Sequence, residues 1–185
     1  KRQVDSYEIL NNLQTGKQVT DYTDVSSSAW YYDAAKYVTD KQLMSGEKPY
    51  VFGADEALTR AEVASALYNL AGQPKVELAS FTDVPVTHQA RTAIAWAAKT
   101  GIMKGVGDNK FEPDRSVSRE EIATLLTRQR KLSGEDVSAD KAAINEFADS
   151  AKISSWAVDG VAYCTKSGLV KGNPGKVFAP AGNTT

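Results

Sequence analysis

The amino-acid sequence predicts an all-α, mainly helical protein built from three helix-loop-helix repeats. Three observations carry this. A short phrase recurs as Tyr22-Thr23-Asp24-Val25, Phe81-Thr82-Asp83-Val84 and Phe147-Ala148-Asp149-Ser150. Each copy is followed by a segment with apolar residues at helical spacing. A loop and a second helix start then follow in the same order. Repeats of this size are single supersecondary elements that bury their apolar faces against their neighbours. Function is therefore expected where units meet, or at one position common to all units.

The first helix of each unit follows from its period. Trp30, Ala34, Tyr37 and Val38 fall on one face in unit one. Ala93, Trp96, Ala97 and Thr100 do so in unit two, and Trp156, Gly160, Tyr163 and Cys164 in unit three. Ser28 and Ser155 suit N-caps. Gly101 and Gly168 stand where a helix end needs a left-handed residue, and Gln42 fills that column in unit one. Loops rich in Gly, Pro, Asp and Asn come next, each with one aromatic (Phe52, Phe111, Phe178) expected to pin the loop to the core. The second helix opens with Thr59-Arg60-Ala61-Glu62 or Ser118-Arg119-Glu120-Glu121. Each is a capping box, a hydroxyl N-cap with Glu three residues on. Thr185 stands in the same column of unit three, so that unit lacks its second helix in this sequence. The organisation is then residues 1–21 as an upstream linker or packing helix, units at 22–72 and 81–130, a linker at 131–146, and a third unit at 147–185. Asp5 and Ser6 suit the cap of a short helix through Tyr7, Ile9, Leu10 and Leu13, and residues 141–147 suit a further helical turn.

Composition limits the chemistry. The chain of 185 residues has a net charge of −1, which provides no field to gather nucleic acid. No apolar run approaches the roughly 20 residues of a membrane span. One cysteine and one histidine leave no material for a disulfide framework, a cysteine metal cluster or a histidine-based triad. No cofactor, metal or catalytic group is expected.

Arg60 and Arg119 are the sharpest candidates. Each occupies the first helical position, where the macrodipole disfavours a cation. Two readings stand. One is a carboxylate or phosphate receptor made by a guanidinium beside free helix-terminal N–H groups. The other is a solvated arginine paired with Glu62 or Glu121. Asp24, Asp83 and Asp149 suit Asx-turns that start the first helix, or ligand contact. Trp30 and Trp156 share a column in which unit two has Gln89, and suit either a core face or a surface that stacks on a sugar. Glu120 and Glu121 are helix neighbours and do not face each other, which argues against an acid–base pair.

The phrase Phe-Thr-Asp-Val, the run Ala97-Ala98-Lys99-Thr100-Gly101-Ile102-Met103-Lys104-Gly105, the Phe111-Glu112-Pro113-Asp114 turn and the Thr59-Arg60-Ala61-Glu62 box together resemble S-layer homology repeats. The resemblance implies a pseudo-threefold, three-pronged helical assembly. It implies binding of secondary cell-wall polysaccharide, often pyruvylated, in grooves between repeats. It also implies non-covalent retention on a bacterial cell surface, as the anchor of an upstream cargo domain or S-layer protein. By motif match, Arg60 and Arg119 meet the ligand carboxylate. Thr59, Ser118, Asp24, Asp83, Asp149, Gly46, Gly105, Gly172, Trp30 and Trp156 line the grooves. Gln89 and the missing third arginine make the grooves unequal. A helical scaffold for protein partners is the alternative, and a glycosidase a more distant one.

Overall fold

The computed structural model describes residues 18–46 and 48–185. The expected upstream helix through Leu13 lies outside them. Among the described residues five α-helices follow in order: α1 (Tyr32–Asp40), α2 (Arg60–Leu70), α3 (Arg91–Thr100), α4 (Arg119–Leu132) and α5 (Val158–Lys166). Short 3-10 turns cover Val19–Asp21, Lys141–Glu146 and Ser150–Lys152. Among the described residues there are isolated β-bridges but no strand.

The helix ends obey local rules. Thr59 and Ser118 accept from the Glu62 and Glu121 amides, and both boxes close reciprocally. Gln42, Gly101 and Gly168 all adopt positive φ, as the column required. Ser28 and Ser155 are not caps. The first helices start later than expected, with Tyr31, Ala90 and Ala157 at the N-cap positions and no side-chain cap bond.

The helices pair across the repeat boundary. α2 of unit one packs on α3 of unit two, and α4 of unit two packs on α5 of unit three. One core joins Val63, Ala64 and Leu67 to Ala93, Ile94, Trp96 and Ala97, with Phe111 beneath them. A second joins Ala123 to Val161, Tyr163, Cys164 and Phe178. A smaller one gathers Val19, Tyr22, Val25 and Ala35. Among the described residues the face expected to be buried on α1 is largely exposed, whereas its counterparts in units two and three are covered by the preceding unit's second helix. Trp30 is 95% and Tyr37 55% exposed, whereas Trp96 is 4% and Tyr163 8% exposed.

The residues just before the second-helix column close a backbone ring. Leu58 N donates to Thr184 O (2.8 Å), Thr184 N to Val117 O (3.0 Å), and Val117 N to Leu58 O (2.9 Å). Each unit thus gives one N–H and one carbonyl to the cycle, so all three are satisfied without a sheet.

Candidate inter-unit groove

The repeated aspartates are loop clamps. Asp24 accepts from the Phe52 and Gly53 amides at 2.8 Å each. Asp83 accepts from Phe111 N (2.9 Å) and Glu112 N (2.7 Å), and Asp149 from Phe178 N (2.7 Å) and Ala179 N (2.8 Å). They do not form the Asx-turn that would start the first helix; their carboxylates reach instead to the far end of the unit's loop. Desolvation is the largest single influence and pushes each carboxyl pKa up. The backbone N–H bonds together outweigh it and hold all three below the ordinary value of 3.8. A depressed folded-state pKa contributes stability that is present above the unfolded value and lost as pH falls through the folded one. Asp83→Asn is therefore expected to flatten the acid limb of the stability–pH curve below about pH 4. Urea midpoints from pH 2 to 7 check this, and an unaltered acid limb would count against the clamp.

The glycine column is steric. A Cβ on Gly46 would lie 2.2 Å from Val51 O and 2.5 Å from the Tyr22 ring. On Gly105 it would lie 2.8 Å from Lys110 O, and on Gly172 3.1 Å from the Phe147 ring. The first aromatic of each unit thus lies against its loop glycine, and Tyr22 Oη also accepts from the Gly46 amide.

The arginines correct the expectation of open anion receptors. Arg60 is buried, at 6% exposure. Its Nε donates to Phe111 O (2.9 Å) and its Nη2 to Lys104 O (2.8 Å), both in the next unit's loop. The guanidinium carbon stands 4.6 Å from the Phe111 ring centroid. Arg119 repeats this from unit two to unit three, donating to Phe178 O (2.7 Å) and Lys171 O (2.9 Å), and is half-buried. Burial is the main cause lowering both guanidinium pKa values; Arg115 adds to it at Arg60. Neither is paired with its own capping glutamate. The helix-terminal amides are also committed. Arg60 N and Ala61 N donate to Arg115 O and Pro113 O, and Arg119 N and Glu120 N to Gly182 O and Pro180 O. The cation at the first helical position is tolerated because it bridges units through carbonyl dipoles.

Between units one and two lies a groove of about 460 Å³. Unit one supplies Ser45, Gly46, Thr59, Ala61, Glu62, Ser65 and Asn69 to its walls; unit two supplies His88, Gln89, Ala90 and Asp114. Asn69 Nδ2 donates to Leu43 O (3.0 Å), which ties α2 to the loop that forms one side. Of the predicted site residues, Gly46 and Thr59 meet here, with Gln89 in the tryptophan column; Arg60 is not in the lining. A second groove of about 280 Å³ runs along α1 and is mainly apolar, lined by Trp30, Ala34, Val38, Phe52 and Thr185 among others. Neither repeated tryptophan is core: Trp156 is 55% exposed at the start of unit three. Among the described residues no cluster of His, Cys, Asp and Glu suits a metal ion, and no helix is long and apolar enough to cross a membrane.

The S-layer homology domain model matches residues 21–64, 80–123 and 146–185, one match per unit. The chain belongs to the S-layer homology domain family. Within this family it is 28% identical over 89% of its length to an amylopullulanase of Thermoanaerobacterium thermosulfurigenes, covering 9% of that protein. It is 26% identical over 87% of its length to a surface-layer 125 kDa protein of Lysinibacillus sphaericus, covering 13% of it. It is 31% identical over 76% of its length to a cellulosome-anchoring protein of Acetivibrio thermocellus, covering 31% of it. The chain thus spans only a small part of the curated relatives it matches.

One residue of consequence was weighed from the sequence only as half of an acid–base pair with Glu121 and was given no other role. Glu120 is 8% exposed and bonded to the start of unit three. The available signal was its mismatch with Ala61 in the same column.

Proposed function

We propose that this chain is a non-catalytic anchor that holds a protein on a bacterial cell surface by binding cell-wall polysaccharide in the groove between units one and two. The groove carries this reading. Hydroxyl, amide and imidazole groups of Ser45, Thr59, Ser65, Asn69, His88 and Gln89 line it. A saccharide presents hydroxyls that need such alternating donors and acceptors. The three-unit match to the family and relatives named as surface-layer and anchoring proteins support the same role. The finer reading is an anionic saccharide carrying a pyruvate ketal. It is supported by the family resemblance; Arg60 and Arg119 act on the groove only indirectly, by fixing the loops of the following unit. The aspartates and Gly105 and Gly172 serve this role by holding the loops; Ser118 does so by capping α4.

Purified sacculi test it. The chain is expected to pellet with sacculi before chemical removal of the non-peptidoglycan polymer and to stay in the supernatant afterwards. Equal retention after removal would overturn the reading. The apolar groove along α1, with Trp30 fully in solvent, favours a second reading as a scaffold for a protein partner. Retention that survives polymer removal but is lost on prior protease treatment of the sacculi would support that reading instead.

A further inference from the structure

We propose that Glu120 closes the groove between units two and three and so leaves the groove between units one and two as the one of this pair open to polysaccharide. This rests on the groove reading above. Ala61 and Glu120 occupy the same column, at the second position of α2 and α4. Ala61 ends in a methyl group and lines the open groove. Glu120 reaches across the corresponding place. Its Oε2 accepts from Ser154 N (2.8 Å) and its Oε1 from Ser154 Oγ (2.9 Å), two residues ahead of Trp156. The carboxylate thus ties α4 to the start of unit three, where unit two has Thr87 two residues ahead of Gln89.

The helix packing acts in the same direction. A Cβ on Gly160 would lie 2.8 Å from Thr124 Cα, so α4 and α5 touch backbone to backbone there. Thr127 Oγ1 also donates to Gly160 O at 3.2 Å. In the pair flanking the open groove, the matching residues are Ala93 and Ser65, and Ser65 lines the cavity. Ala93 carries a methyl group where unit three has Gly160, so a backbone approach as close as that of Gly160 to Thr124 is not available to this pair. The carboxylate at the second position of α4 and Gly160 therefore act together on this groove.

Calorimetric titration with a pyruvylated monosaccharide tests this on the unaltered chain, Glu120→Ala and Ala61→Glu. The unaltered chain is expected to bind one equivalent and Glu120→Ala two. Ala61→Glu is expected to lose at least tenfold in affinity per folded molecule, because a carboxylate there would take the role towards Thr87 that Glu120 has towards Ser154. Hydrogen exchange at the Ser154 amide should accelerate in Glu120→Ala. One equivalent for both the unaltered chain and a folded Glu120→Ala overturns the closure while leaving the groove reading intact. Two equivalents for the unaltered chain, or full affinity in Ala61→Glu, does the same. No saturable binding by the unaltered chain overturns both.

Discussion

Replacing Arg60 with alanine is expected to destabilise the fold by about 3 kcal/mol, the scale of losing two bonds from a charged donor and leaving buried acceptors unpaired. The carbonyls of Phe111 and Lys104 would lose the donors that join unit one's second helix to unit two's loop. Both readings of Arg60 from the sequence, an anion receptor and a solvated side chain, left it in contact with solvent; its burial makes it a bridge within the fold instead. Arg119→Ala should cost less, about 1–2 kcal/mol, because water can reach its half-exposed site and satisfy the carbonyls in part. Urea midpoints at constant m compare the two. A stability unchanged in Arg60→Ala would show that the bridge contributes nothing.

Phe111→Ala should be the most damaging single change, at about 3–5 kcal/mol. The ring is completely buried and packs tilted on Phe81 at 5.4 Å between centroids. Its amide is held by Asp83, its carbonyl by Arg60, and its face by the Arg60 guanidinium. Losing the ring removes the surface on which that cation rests. The two substitutions should accordingly be non-additive, with a coupling of about 0.5–3 kcal/mol in a double-mutant cycle. Additivity within error would mean that ring and guanidinium act independently.

Much of the local structure was legible in the sequence. The boxes at Thr59 and Ser118 and the left-handed column at Gln42, Gly101 and Gly168 are decided by contacts a few residues apart. Periodicity is enough to locate them. The roles of Asp24, Asp83 and Asp149 were not legible, because each carboxylate meets amides nearly thirty residues away. Repetition conceals such pairings. Every unit contains the same columns, so an alignment cannot say whether Arg60 meets Phe52 of its own unit or Phe111 of the next. That ambiguity also hid the exposed face of α1, whose pattern matches α3 and α5 although its surroundings differ. For Trp30 and Trp156 the sequence left a core face and an exposed stacking surface both open; the helices begin after them, and both rings are exposed.

Because each second helix completes the core of the unit after it, the excisable modules are out of step with the repeats. A shortened chain beginning at Phe81, as the motif invites, would strip α2 away and leave Ala93, Trp96 and Ala97 in water. One beginning near Ala57 would keep α2 seated on α3 and Arg60 on Phe111. Grafting or trimming this anchor therefore calls for cuts in the middle of a repeat, within the loop that ends at Leu58, rather than at the Phe-Thr-Asp-Val phrase that makes the repeats visible.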